Sequence, residues 1–174
     1  MRWALVVVVL LAGLIGIVVV GGMLLPVAHV ASVRARVPAA QEAVFAVLAD
    51  VASAPAWRSD VDSVAVLSAA DEPLRWRETG PNGSIAYLRE EADAPRRLVA
   101  RIDGTDQPFG GRWTWELAPD DEATWVTITE EGEVYNPAFR FIARYVFGHH
   151  RTMEHYLQDL GARLGAPVKS ERVR

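Results

Sequence analysis

The chain begins with a long apolar run. Residues 3–28 contain no charged, hydroxyl or amide side chain. A helix that begins at Ala4 and ends at Leu25 is long enough, at about 1.5 Å of rise per residue, to cross a hydrocarbon core roughly 30 Å thick. A single segment can satisfy its own backbone hydrogen bonds in lipid only as a helix. The pattern therefore predicts one transmembrane anchor, which we assign to residues 1–26.

A cleaved signal peptide is the alternative for this run. The apolar region of a signal peptide is usually about 7–15 residues long and ends at a small-x-small cleavage site. This run is longer, and its exit offers only Val30 and Ser32 at that spacing. Length therefore favours an uncleaved single-pass anchor in the cell membrane. Arg2 lies on one side and Arg34 and Arg36 on the other, so charge leaves the side of the soluble domain unresolved.

After the anchor, apolar and polar residues alternate in short runs that Pro and Gly separate. Alternation of this kind is typical of strands with one face on a core. The pattern predicts a strand at residues 27–37, a helix at 39–48 and a short turn that Pro55 ends. Short connections then predict an antiparallel meander of six strands. These strands are residues 61–69, 74–79, 84–91, 97–102, 112–117 and 124–134.

A long helix follows the last of these strands. Asn136 is a residue type that caps helices, and Pro137 suits a first turn. Apolar and aromatic residues then recur every three or four positions as far as Leu164, which predicts one continuous helix with one apolar face. We therefore predict a single domain at residues 27–165 and a disordered polar tail at residues 166–174.

Composition excludes some classes of function. The formal net charge is −4, and no block of Lys and Arg interleaves with aromatic residues, so we predict no nucleic-acid surface. The chain contains no cysteine, so its cysteine content points to neither a reducing nor an oxidising compartment. The sequence contains no GxSxG motif, so we predict no nucleophile elbow. No lysine follows the glycine pair at residues 110–111, so we predict no phosphate-binding loop either.

The order of a strand, two short helices, six strands and a long helix is that of a helix-grip fold, of class α+β. The stretches that resemble a known family are VPAAQEAVFAVLAD, APAW, PFGGRWTWEL, TWVTITEEGE and Asn136-Pro137. The chain resembles the START/Bet v 1-like (SRPBCC) superfamily, specifically its bacterial polyketide cyclase/dehydrase-like members, over roughly residues 28–164. The resemblance implies a curved antiparallel sheet around the last helix, with a cavity for lipids, sterols or polyketides. Members of this superfamily include enzymes and carriers.

Aromatic residues on the predicted strands are the candidates for the wall of such a cavity. Trp113 and Trp115 share one face of a strand. Ligand sites are mostly apolar with few polar groups, which is the character that these residues would give. The candidate lining residues are Trp76, Tyr87, Trp113, Trp115, His149 and Met153.

Other polar residues are weaker candidates for a site. His149, His150 and His155 are one, five and six positions apart, whereas two metal ligands on a helix normally stand at i and i+4. We therefore predict neither a metal site nor a cofactor. The carboxylates of Glu130 and its neighbours near the end of a strand are predicted to be solvated.

These observations predict a membrane-anchored binding domain for a hydrophobic or amphipathic small molecule, without an evident catalytic apparatus. Two alternatives stay open. One is a cyclase/dehydratase-type enzyme, in which His149 or Tyr87 handles protons in the same cavity. The other is a membrane-tethered adaptor for a protein partner, with the cavity collapsed into core and an apolar patch exposed instead.

Overall fold

The computed structural model describes residues 2–81, 83–104 and 107–174. Its elements, in chain order, are α1 (Arg2–Leu24), β1 (Ala28–Val37), α2 (Gln41–Ala49), a 3-10 helix (Val51–Ala56), β2 (Ser63–Val66), β3 (Arg75–Gly80), β4 (Gly83–Asp93), β5 (Arg97–Ile102), β6 (Phe109–Asp120), β7 (Ala123–Val134), α3 (Pro137–Ile142), a π-helix (Ala143–Phe147), α4 (Arg151–Arg163) and β8 (Ser170–Arg172).

All eight strands form one antiparallel sheet, in the order β2-β3-β4-β5-β6-β7-β1-β8. The strands β2 to β7 each pair with the next along the chain, which is the meander predicted from the alternation. The first strand then pairs with the last strand of this meander, in a register that places Ala31 opposite Glu130. The α+β helix-grip fold is therefore confirmed.

The core lies between the sheet and α4. Met153, Leu157 and Leu160 of α4 are fully buried, and their i, i+4, i+7 spacing places them on one face of the helix. They pack with inward side chains of β1 and β7, such as Val33 and Ile128. This packing holds α4 across the sheet.

The predicted continuous helix at residues 136–164 is wrong in its middle. It begins as expected, because Asn136 Oδ1 accepts a hydrogen bond from the Phe139 N–H at 3.1 Å. The chain then passes into the π-helix, which Gly148 ends with a φ of +73°, and α4 begins only at Arg151. Glycine adopts this left-handed conformation without the clash that a Cβ would cause. The apolar residues keep their helical spacing in the sequence across this break, because that spacing carries no information about the backbone conformation of a single residue.

The prediction of a disordered tail is also wrong for Ser170–Arg172. These residues form β8, which pairs with the free edge of β1. An ion pair of Arg34 with Glu171 reinforces the pairing, and Arg172 Nε connects β8 to α4 by donating to Glu154 Oε1 at 2.7 Å. The polar composition of these residues gave no hydrophobic signal for a strand, because an edge strand needs few apolar residues.

The N-terminal helix matches the predicted apolar helix Ala4–Leu25 to within two residues at its start and one at its end. Its length and composition are sufficient to cross a membrane. Nearly all of its side chains are exposed, except near its C-terminal end, where Gly22 is buried. At this end it contacts α3, so the helix is joined to the domain by more than the chain connection.

Candidate functional site

A cavity of about 400 Å³ lies between the sheet and the helices. Strands β3 to β7, the 3-10 helix and the segment from α3 to α4 all contribute residues to its wall. This volume falls within the range of small-molecule sites in proteins. The adaptor hypothesis requires a collapsed cavity, and this space contradicts that requirement.

Five of the six predicted lining residues lie on the wall of the cavity. They are Trp76, Tyr87, Trp113, Trp115 and His149. The strand pairing explains one part of this arrangement: Trp76 and Tyr87 are direct partners between β3 and β4, and their rings stack with centroids 5.4 Å apart.

Met153 is the exception, and its prediction as a lining residue is wrong. Its side chain is fully buried in the core against the sheet and is absent from the cavity wall. Its neighbour on α4, Tyr156, reaches the cavity instead. Both residues belong to the same apolar stripe, so the sequence period could not separate them.

Tyr156 lies at the centre of an aromatic cluster. Its ring is 5.3 Å from that of Trp57, 5.8 Å from that of Trp113 and 6.0 Å from that of Trp115, measured between centroids. Burial raises the pKa of the Tyr156 hydroxyl, so this group stays protonated at neutral pH. The cluster gives the cavity a rigid apolar wall.

A buried ion pair closes one side of the cavity. Arg58 Nη2 lies 2.8 Å from Asp60 Oδ2, and Arg58 Nη1 lies 2.8 Å from Glu78 Oε2. Burial alone would lower the pKa of Arg58, but the hydrogen bond to Asp60 and the charge of Glu78 outweigh it and raise that pKa. Trp76 Nε1 also donates to Glu78 Oε1, at 3.0 Å, so the cluster orients one of the aromatic wall residues.

A second arginine of the wall has no carboxylate partner in the part of the chain that the structure describes. Arg89 Nη1 donates to the Ala49 carbonyl at 3.1 Å, and the guanidinium lies 5.6 Å from the centre of the Trp76 ring. Burial lowers the pKa of Arg89, and a guanidinium nevertheless remains protonated at neutral pH. The cavity therefore holds a partly desolvated positive charge.

Two histidines and a glutamate form a polar cluster at another side of the cavity. The rings of His29 and His149 are stacked, and His29 Nε2 lies 2.9 Å from Glu130 Oε1. The second carboxylate oxygen, Glu130 Oε2, accepts a hydrogen bond from Trp113 Nε1 at 2.8 Å. The predicted residues His149 and Trp113 are thus linked through His29 and Glu130, which the sequence analysis did not select.

The solvated role predicted for Glu130 is therefore wrong. Its side chain is only 21% exposed and accepts hydrogen bonds from inward-facing partners. Its strand neighbour Glu131 is exposed, as expected. The sequence carried no signal for His29, because its meeting with Glu130 depends on a strand register across 101 positions. In the described ranges, no group of three or more His, Cys, Asp or Glu side chains is arranged to hold a metal ion.

Comparison with known proteins adds to this geometry. The model of a family described as polyketide cyclase/dehydrase and lipid transport matches residues 28–164, which is most of the chain. The chain belongs to this family. The resemblance inferred from the sequence is confirmed, and the matched segment starts four residues after α1 ends.

Solved structures share the fold of this family member. An aromatase/cyclase, Zhui, from Streptomyces sp. R1128 aligns with a TM-score of 0.66 and 16% identity over 79% of this chain and 93% of its own. A START superfamily protein from Mycobacterium smegmatis aligns with a TM-score of 0.63 and 17% identity over 78% and 97%. A protein from Thermus thermophilus aligns with a TM-score of 0.65 and 22% identity over 78% and 97%. No curated protein matches the chain. At these identities the structural matches show the fold alone.

Proposed function

We propose that this family member is a membrane-anchored domain that binds a hydrophobic or amphipathic small molecule, lipid- or polyketide-like, in its cavity. The observation that carries the proposal is the cavity of about 400 Å³, walled by the aromatic cluster that Tyr156 forms with three tryptophans. An apolar molecule that leaves water for this space gains roughly 25 cal/mol per Å² of buried apolar surface.

The apolar helix α1 supports the membrane part of the proposal. Only three residues separate its end at Leu24 from the start of β1 at Ala28, so an anchored domain would stay at the membrane surface. A short tether suits the local task of holding or presenting a ligand that itself partitions into the bilayer. The charges that flank the helix leave the side of the membrane open.

Native mass spectrometry of the full chain, released from detergent micelles, tests the binding. The protein is incubated with a bacterial total lipid extract before measurement. Ile85→Trp is the matched variant, because Ile85 lines the cavity and a larger side chain there occupies its volume. Val66→Trp is the control, since Val66 is exposed on β2 and lies off the cavity wall.

We expect an adduct mass on the wild type and on Val66→Trp that is lost in Ile85→Trp. Circular dichroism confirms that all three proteins are folded. A wild type that stays free of adducts after incubation, or an adduct that Ile85→Trp keeps in full, would overturn binding in this cavity.

A specific observation favours a cyclase/dehydratase-type enzyme as the second candidate. Glu130, His29 and His149 place a carboxylate and two imidazoles on the cavity wall, and these are the side-chain types that serve most often as general acids and bases. In a dehydration, a base takes the proton next to a carbonyl while an acid protonates the leaving hydroxyl, so that water departs and a double bond forms.

The β-hydroxy ketone 4-hydroxydecan-2-one is the probe for this chemistry, because loss of water gives an enone that absorbs ultraviolet light. Enzymatic turnover should be lost in His149→Ala and kept in His155→Ala, whose histidine is exposed outside the cavity. Absence of turnover above the buffer rate in the wild type would reject dehydration of this substrate class.

A further inference from the structure

The C-terminal end of α1 packs closely against α3. The residues of α1 with half-buried or buried positions are Val18, Val19, Gly21 and Gly22. A Cβ atom added to Gly22 would collide with the carbonyl group of Pro137, and one added to Gly21 would lie 2.9 Å from the Phe141 ring. The two glycines therefore allow α3 to approach the backbone of α1 more closely than any other residue type would.

Arg140 stabilises the contact between α1 and α3. Its Nη1 donates to the Gly22 and Leu25 carbonyls, at 3.0 and 2.9 Å, and its Nε donates to the Val134 carbonyl at 2.9 Å. Both carbonyls lie at the C-terminal end of α1, so the positive charge of Arg140 lies at the negative end of the helix dipole. The side chain thus joins α1, the end of β7 and α3 in one arrangement.

The position of this contact sets the height of α3 relative to a membrane. From Val18 to Leu24 is six residues, or about 9 Å along the helix axis. Interfacial helices bury their apolar face about 5–10 Å into the boundary between head groups and acyl chains. If α1 spans a bilayer to its end, the segment packed against Val18–Gly22 lies at that depth.

The exposed side of the same segment has the composition of such an interfacial element. Phe139, Tyr145 and Val146 are 45%, 63% and 67% exposed, and Arg144 is exposed between them. Aromatic residues favour the membrane–water interface, and arginine favours the phosphate groups there. Three large apolar side chains are thus exposed within eight consecutive residues, and exposed apolar surface of this kind is typical of sites that contact a membrane or a protein.

The segment also borders the cavity. Phe139 and Ala143 lie on the cavity wall, as does Gly148, which directly follows the π-helix and is exposed. We propose that α3 and the π-helix, named here the interfacial segment, lie in the head-group region of the bilayer and place this end of the cavity against lipid. This inference rests on the proposed membrane anchoring and adds the surface through which the domain contacts the membrane.

The absence of cysteine allows a direct test by single labels. The full chain carries one cysteine at Val146, labelled with a bimane fluorophore, in vesicles of phosphatidylcholine and phosphatidylglycerol. Spin-labelled lipid quenches a label in the bilayer, and aqueous iodide quenches a label in water. Val66→Cys reports an exposed apolar position on β2, and Leu14→Cys reports the middle of α1.

We expect spin-labelled lipid to quench Val146→Cys and Leu14→Cys severalfold more than Val66→Cys, with the order reversed for iodide. Lipid quenching at Leu14 together with iodide quenching at Val146 would overturn the interfacial segment and leave the anchor intact. No lipid quenching at Leu14 would overturn both proposals. Protection of Val146 from both quenchers would show that protein, such as a second copy of the chain, covers this surface instead of lipid, and would overturn the inference.

Discussion

The imidazole ring of His149 lies on that of His29, with the ring centroids 3.7 Å apart and the planes 25° from parallel. One ring belongs to β1, which follows α1, and the other lies between the π-helix and α4. The other charged or titratable groups that influence His149 are Glu130, Arg144 and His150. The contact therefore joins the first strand of the domain to the break between the π-helix and α4.

This contact predicts a loss of stability on acidification. Burial and the nearby His29 lower the pKa of His149 below its ordinary value of 6.5, so the unfolded chain binds a proton there at a higher pH than the folded protein. Stability should be unaffected by this group above that value and should fall as pH drops through it, until the folded state also binds the proton.

Thermal unfolding of the full chain in detergent, measured at about pH 7.5 and about pH 5, checks this expectation. His149→Gln should show a smaller decrease in Tm between the two conditions than the wild type. His155→Gln, which removes an exposed histidine of α4, is the control. Equal decreases in Tm for the wild type and His149→Gln would contradict the predicted linkage.

Gly22→Ala should loosen the junction between α1 and α3. The added Cβ meets the backbone carbonyl of Pro137, which cannot move without moving α3. Overpacking of this kind costs about 1–3 kcal/mol. Hydrogen–deuterium exchange of the full chain should show faster exchange at residues 137–147. Gly16→Ala is the matched control, because no atom lies within 4 Å of its added Cβ, and equal exchange in the two variants would refute the tight approach.

Arg58→Ala should be strongly destabilising. It leaves Glu78, whose side chain is 12% exposed, without its buried positive partner. Removing one member of a buried pair costs about 3–5 kcal/mol. Urea unfolding followed by tryptophan fluorescence measures the change in the free energy of unfolding. Arg96→Ala breaks an exposed pair with Asp93 and should cost about 0–1 kcal/mol; a similar cost for both variants would argue against the buried pair.

Arg89→Gln should change which ligands the cavity accepts. The guanidinium of Arg89 is already partly desolvated in the free protein. It therefore loses less hydration free energy when it binds an anionic head group than a fully solvated guanidinium would. Charge-assisted hydrogen bonds are worth about 1.5–3 kcal/mol, or roughly 10- to 100-fold in Kd. We expect that loss for oleate and a much smaller one for oleyl alcohol.

The measurement for Arg89 is titration of the full chain with each of the two ligands. Arg77→Gln, an exposed position on β3, controls for the loss of one positive charge from the protein. Weakening of both ligands by the same factor in Arg89→Gln would show that the side chain supports the cavity wall and does not select the head group.

Several parts of the site were predictable from local pattern. Alternation along β3 and β6 was sufficient to select Trp76, Trp113 and Trp115, because a strand presents every second side chain to the same face. The apolar period of the predicted last helix placed His149 and Met153 on one stripe, but it could not show that of these two only His149 borders the cavity. That distinction depends on the gap between α4 and the sheet.

The polar residues of the site were not predictable in this way. His29 meets Glu130 because β1 pairs with β7 in one register. Arg58 meets Glu78 because the chain that follows the 3-10 helix runs beside β3. Each meeting joins segments whose local composition is ordinary. From the sequence alone, a charged residue on a strand is predicted to be solvated. Only the packing of the helices on the sheet shows which face of the strand is enclosed.

The sequence by itself determined the apolar helix and the meander, because these follow from the period and length of hydrophobic runs and from local turn residues. Its resemblance to known sequences indicated the family. Only the tertiary structure decided the break at Gly148, the edge strand Ser170–Arg172, the polar clusters of the cavity and the contact of α1 with α3. These features depend on which free edge, carbonyl or charge another segment brings within a few ångströms. That information is set by packing across long sequence separations, which a local pattern does not contain.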